Sequence, residues 1–315
     1  LEIIQCVFSV SGVSWIERKE GEMISNEAER LTQRLKTQNF RQQLVTAFQT
    51  AQGKMTDKDL TRENFPANVS YKAHWIDHHL VAEVSSLSVQ RNASILMLHG
   101  GGFVIPAGKN FVTVGMSFVQ AGYTVWFADY PLIQNYSSDY LRKWLLRAYE
   151  KMAEQTDRSL LFGDSAGANL ALRLLLDIRD KGLPHPHATE LFSLGPDLTL
   201  ATAEIKKAAE SDVVLDREGL ASVFGDVFDA DMNRYYSFNA ENDYSQLGNI
   251  RLDMGGNELF VPDVLALMDV LDTQGTSPEL MMHPAMMHDF IMWPQLPESQ
   301  AVQASILNYF NERQK

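Results

Sequence analysis

Ser159-Leu160-Leu161-Phe162-Gly163-Asp164-Ser165-Ala166-Gly167-Ala168-Asn169-Leu170 runs from a short apolar strand pattern, through a G-x-S-x-G turn, into a helical pattern that reaches Arg179. The strand-to-helix context is what gives such a pentapeptide meaning. A reversal this sharp leaves no room for side chains at the flanking positions, hence Gly163 and Gly167. It also lifts the Ser165 hydroxyl clear of the sheet. The helix starting at Ala166 presents unpaired N–H groups and a positive dipole end, so the Ala166 N–H is a candidate donor to an oxyanion. A plain small-residue turn packed between strand and helix is the competing reading.

The pattern around this stretch repeats. Strands are expected at Ser94–Leu98, Tyr123–Ala128, Ser159–Phe162, Glu190–Leu194, Ile250–Met254 and Glu279–His283. Helices are expected at 111–121, Ser137–Gln155, Ala166–Arg179, Pro262–Leu271 and from Glu298 to Asn311. Short apolar runs alternating with amphipathic stretches imply an α/β fold with a mainly parallel sheet covered on both faces. Residues 71–89 hold two strand-like runs, expected to pair antiparallel. After Ser25-Asn26 the chain is helical, with Leu31/Leu35 and Leu44/Val45/Phe48 at helical spacing. Gly53–Asn68 is a loop or short helix. The alternation lapses over 197–247, an aromatic and acidic stretch. These shifts divide the chain into an N-terminal helical cap segment (1–70), a core (71–196 and 248–315) and a cap insertion (197–247).

A second glycine signal follows the strand at 94–98: His99-Gly100-Gly101-Gly102-Phe103. Glycines let the backbone pass close to a reacting carbonyl with the N–H groups of Gly101 and Gly102 turned toward it. Each such donor is worth about 3–4 kcal/mol in a transition state. A flexible turn is the bland alternative, and a phosphate loop is disfavoured because no Gly-Lys-Ser/Thr follows. His99 reads as a brace for this loop.

The glycine run followed by Gly-Asp-Ser-Ala-Gly-Ala-Asn-Leu resembles the hormone-sensitive lipase-like, bacterial group IV, esterases of the α/β-hydrolase family. The likeness spans about 90–312. Ala168 stands where the family usually has a second Gly, and Tyr130-Pro131-Leu132 replaces a more usual Arg-Leu-Ala-Pro-Glu run. The resemblance implies an α/β-hydrolase fold, a helical cap built from the N-terminus and an insertion, and a carboxylester hydrolase acting on short- to medium-chain acyl esters without cofactor or metal.

A serine hydroxyl needs a base, and this fold supplies nucleophile, acid and histidine in that chain order. His288, in Met287-His288-Asp289-Phe290, is the expected base. His283 competes but ends a strand before Pro284 and reads as structural. Glu258, in Gly255-Gly256-Asn257-Glu258, is the favoured acid, with Asp263 the alternative and Asp253 a weaker one. Asp263 also reads as an ordinary first-turn helix acid. His78, His79, His185 and His187 are read as loop or surface residues, since no ligand set accompanies them at metal spacing.

Composition sets outer bounds. The 315-residue chain carries a formal charge of −13, which disfavours nucleic acid and anionic membranes as partners. One cysteine, Cys6, excludes an intrachain disulfide. No apolar run is long enough to span a bilayer. Leu1–Val13 lacks the basic and apolar regions of a leader, so a cytoplasmic location is expected. A homodimer through the C-terminal helix fits such folds. The rival functions are an amidase or peptidase on the same triad and a noncatalytic small-ligand binder.

Overall fold

The computed structural model describes residues 24–51 and 60–313, together with the backbone of 9–10 and 13–15. Cys6, most of Leu1–Val13 and part of the Gly53–Asn68 loop lie outside the described residues. Within that loop, Arg62–Asn64 form one 3₁₀ turn.

Strands β1 (Ser9–Val10), β2 (Val13–Trp15), β3 (Val69–Ile76), β4 (His79–Ser86), β5 (Ser94–Leu98), β6 (Thr124–Ala128), β7 (Ser159–Asp164), β8 (Ala188–Phe192), β9 (Ile250–Gly255) and β10 (Glu279–His283) form one sheet. Its order is β1-β2-β10-β9-β8-β7-β5-β6-β4-β3. From β2 through β6 neighbouring strands run parallel. The β3/β4 hairpin and the β4/β6 pair are antiparallel. β5, β7, β8 and β9 are buried along their whole length, as expected of strands with helices on both faces.

Most strand and helix expectations hold within two residues. β8 ends earlier than expected, because Ser193 takes a left-handed φ of 51° and turns the chain out of the sheet. β1 and β2 carry no periodicity in the sequence. They are placed by backbone pairing of β2 to β10.

The helices are α1 (Asn26–Thr37), α2 (Phe40–Thr50), α3 (Lys109–Gln120), α4 (Ser138–Ala153), α5 (Ala166–Asp180), α6 (Ala203–Ala208), α7 (Arg217–Val227), α8 (Met232–Tyr236), α9 (Val261–Thr273) and α10 (Pro297–Glu312). Ser25 caps α1, its Oγ accepting the Ala28 N–H. The same Ser25 donates from N and Oγ to Glu298 at the start of α10, which ties the first described helix to the last. Helicity after residue 25 is broken at Asn39, which sits in the left-handed region and separates α1 from α2. Among the described residues no helix is long and apolar enough to cross a membrane.

The core is large and aromatic: Trp126, Trp144, Tyr149, Phe162 and Phe192 are fully buried. At about 1.5–3 kcal/mol per fully buried large apolar side chain, it makes a stiff platform under the strand ends. Register then decides what those ends present. Leu98 of β5 pairs with Gly163 of β7, and His283 of β10 pairs with Gly255 of β9. The loops after these four strands therefore leave the same edge of the sheet at matching heights. Such carboxyl edges are where open parallel sheets bind ligands.

Candidate active site

The turn between β7 and α5 is as tight as its glycines suggest. A Cβ on Gly167 would stand 1.9 Å from the Leu98 carbonyl oxygen, and one on Gly163 would stand 2.2 Å from that of Gly167. Both contacts are impossible, so these positions exclude every side chain. Ser165 itself is strained, at φ 50° and ψ −116°. Surrounding structure must hold such a conformation, which is typical of functional sites.

The raised serine meets a histidine. His288 Nε2 lies 2.9 Å from Ser165 Oγ, and His288 Nδ1 lies 2.8 Å from Glu258 Oε2. A carboxylate only accepts, so Nδ1 carries the proton and, in the neutral ring, Nε2 is free to accept from the serine hydroxyl. The other oxygen, Glu258 Oε1, accepts from the Ser193 hydroxyl at 2.7 Å and from the Gly255 N–H. Glu258 is thus held by three donors and is fully buried. Burial pushes its carboxyl up, and His288 opposes that. Burial disfavours the His288 imidazolium, but the facing Glu258 carboxylate, with Asp289 and Asp212 adding to it, outweighs that and pushes the ring up to about 9.

The glycine loop lies alongside. Gly101 (φ 103°), Gly102 (φ 59°), Ser165, Ala166 and His288 line one cavity. Asp164, inside the turn, accepts the Gly100 N–H at 2.8 Å and so pins the glycine loop to the serine turn. His99 is buried, its ring stacked on Tyr130 at 4.1 Å, and the Tyr130 hydroxyl donates to the His99 carbonyl at 2.7 Å. His99 therefore braces the loop as expected, and Tyr130 of the unusual Tyr-Pro-Leu run completes the brace.

The remaining candidates fall elsewhere. Asp263 sits in the first turn of α9, where Thr202 Oγ1 donates to it at 3.4 Å; burial and then Asp197 push it up to about 6. Asp253 accepts from Arg251 and pairs with His283 Nε2 at 2.5 Å in a buried cluster. Burial alone would raise Asp253, yet Arg251 and His283 hold it well below the usual carboxylate range. The Ser165 hydroxyl meets His288 rather than His283. His78 and His187 are exposed and His185 half-buried, whereas His79, expected in a loop or on the surface, is buried edge-on to Tyr136. Among the described residues no group of three or more His, Cys, Asp or Glu is placed to hold a metal ion.

Two contributors escaped the sequence reading. Ser193 donates to Glu258 and accepts the Asp289 N–H at 3.0 Å, linking the acid and histidine loops. The buried Asp289 and Asp164 carboxyls lie close enough for each to shift the other. Burial raises Asp164, and Asp289 adds to it; Asp289 is itself pushed up by burial to about 6. Neither residue stands in a recognisable motif position for these roles.

The cavity above Ser165 has a volume of about 360 Å³. α2 contributes Phe40, Leu44 and Phe48; the 197–247 segment contributes Val214, Leu215, Leu220 and Phe224. Phe103 of the glycine loop packs on Phe224, Phe228 and Tyr236. Trp293, also lining the cavity, packs edge-on against Phe40. The aromatics of the insertion thus serve both as packing and as lining.

A family model described as alpha/beta hydrolase fold matches residues 95–292, which include the glycine loop, Ser165, Glu258 and His288. An acetyl-hydrolase of Streptomyces hygroscopicus is 26% identical over 226 residues, 70% of this chain and 76% of that protein. Among solved structures, an esterase/lipase from an uncultured bacterium has a TM-score of 0.74 at 20% identity, covering 92% of this chain and 99% of its own. A hormone-sensitive lipase from a metagenome library has a TM-score of 0.75 at 21% identity, covering 91% and 98%. At those identities the two structures speak for the fold.

Proposed function

Since this chain belongs to the α/β-hydrolase family, as its resemblance to the hormone-sensitive lipase-like esterases implied, we propose that it is a serine carboxylester hydrolase acting on short- to medium-chain acyl esters. The observation that carries the reading is the unbroken hydrogen-bond line Ser165–His288–Glu258 opening on an apolar cavity.

In the mechanism, His288 Nε2 takes the Ser165 proton as Oγ attacks the ester carbonyl. Glu258 holds the ring in the required tautomer and stabilises the imidazolium. The N–H groups of Gly101, Gly102 and Ala166 receive the developing oxyanion. His288 then protonates the leaving alcohol, and water hydrolyses the acyl-enzyme by the reverse sequence. The side chains of α1, α2 and the 197–247 segment serve as the cap. A cavity of about 360 Å³ is small for a ligand site, near the lower end of the usual range of about 300–1,000 Å³. That size, with the acetyl-hydrolase relative, favours short acyl groups over long-chain glycerides.

The test is hydrolysis of p-nitrophenyl acetate, butyrate and octanoate by the wild type and by Ser165→Ala. Activity strongest on the short chains and lost in the variant is expected. Folded wild-type protein that hydrolyses none of the three esters would overturn the proposal.

A further inference from the structure

Asp212 belongs to the 197–247 segment, away in sequence from the loops bearing Ser165, Glu258 and His288, yet its carboxylate is buried against the residue that follows Glu258. Its Oδ1 accepts the N–H of Val214 at 2.8 Å and of Leu215 at 2.9 Å. Its Oδ2 accepts the N–H of Leu259 at 2.8 Å. Val214 and Leu215 line the cavity, and Leu259 directly follows Glu258. From the far side, Arg41 of α2 donates to the carbonyls of Ala209 at 2.9 Å and Asp212 at 3.1 Å. A single carboxylate therefore ties a wall of the pocket to the loop of the acid, and Arg41 of α2 braces the segment that carries it. A buried carboxylate with three backbone donors is a strong, directional tie.

We propose that Asp212 is a positioning residue that sets Glu258 against His288 from the cap side of the pocket. The inference rests on the reading of Glu258 as the triad acid.

Asp212→Asn separates this role from general support. The amide oxygen can keep the Val214 and Leu215 N–H groups. The amide nitrogen then faces the Leu259 N–H, donor against donor, so the tie to the acid loop is cut while the local turn survives. Hydrolysis of p-nitrophenyl acetate is measured per active site titrated with a fluorophosphonate, across pH. The expected result is a kcat about ten- to a hundredfold lower with KM changed by less than about twofold. The acid limb of kcat/KM should move to lower pH, because the acidic groups facing His288 are Glu258 from the acid loop, Asp289 from its own loop and Asp212 from the insertion. Asp212→Glu, which keeps the charge, should recover part of both changes.

A folded Asp212→Asn with wild-type kcat and pH limb overturns the proposal, as does an Asp212→Glu no better than the Asn variant. If Asp212→Asn does not fold, Asp212→Glu against wild type decides: lowered kcat at constant KM supports the proposal, unchanged kcat overturns it. Ser165→Ala run in parallel separates the two levels. Should it stay active, the triad reading fails and this inference with it. If it is inactive while the Asp212 variants behave as wild type, only the present inference fails.

Discussion

Replacing Glu258 by Gln should cost about 10⁴-fold in kcat, and the structure explains why the loss is so large for one atom. Glu258 Oε1 accepts from Ser193 and from the Gly255 N–H. The serine hydroxyl can reverse its role, but a backbone N–H can only donate, so the amide oxygen of Gln must stay at that position. The amide NH2 is then forced toward His288 Nδ1, 2.8 Å away in the wild type. Nδ1 must become the acceptor, which moves the ring proton to Nε2, the atom that should take the Ser165 proton. The ring is locked in the unreactive tautomer with its geometry intact, a change worth about 10⁴ in kcat in a serine-protease triad, or about 5 kcal/mol of activation free energy.

The assay is p-nitrophenyl acetate hydrolysis by wild type and Glu258→Gln from pH 6 to 10, with a thermal melt to show that the variant is folded. The sign of the pH effect follows from the same contact. Only neutral His288 accepts the serine proton, and the Glu258 carboxylate favours the imidazolium, pushing the ring up to about 9. Wild-type kcat/KM should therefore still be rising above the ordinary histidine range. In the variant the residual activity should level off at lower pH, because the stabilising charge is gone. A folded Glu258→Gln that loses less than about tenfold in kcat would refute the reasoning and send the search for the acid elsewhere.

Asp263→Asn should leave kcat/KM for p-nitrophenyl acetate within about twofold of wild type, because the Asp263 side chain meets Thr202 rather than His288; a thousandfold loss would reverse the assignment of the acid. Gly167→Ala would press a methyl group into the Leu98 carbonyl, 1.9 Å away, and should cost about 3 kcal/mol or more in urea unfolding; an unchanged midpoint would contradict the packing of the turn. Burial lowers His99 to about 4, against its bond to the Gly100 carbonyl. Its folded value is depressed, so the unfolded chain binds the proton more readily and stability falls as pH drops from about 6.5 toward 4. That loss amounts to about 3 kcal/mol. His99→Phe should show a correspondingly smaller fall in stability between pH 7 and pH 4, and an identical fall would exclude His99 as its source.

The sequence by itself determined the alternation of buried strands and helices, because that order is written in short apolar runs and helical spacing, both local properties. It also determined the serine turn, since Gly163 and Gly167 answer a steric demand that any chain making this reversal must meet. Ser165 and His288 could be proposed from chain order and loop position, with Glu258 favoured over Asp263 as the acid but Asp263 left open, and the glycine loop from its composition. Contacts between segments distant in the chain were decided only in three dimensions. β2 is held by backbone pairing to β10, and backbone groups are the same in every sequence. Glu258 and Asp263 are both acids in one loop region, and only the reach of a side chain to His288 tells them apart. Asp212 looks in sequence like any solvated acid of an acidic protein. Its neighbours Val214, Leu215 and Leu259 become partners only when the insertion folds back over the ends of β7 and β9, because a hydrogen bond depends on a few tenths of an ångström that no local pattern encodes.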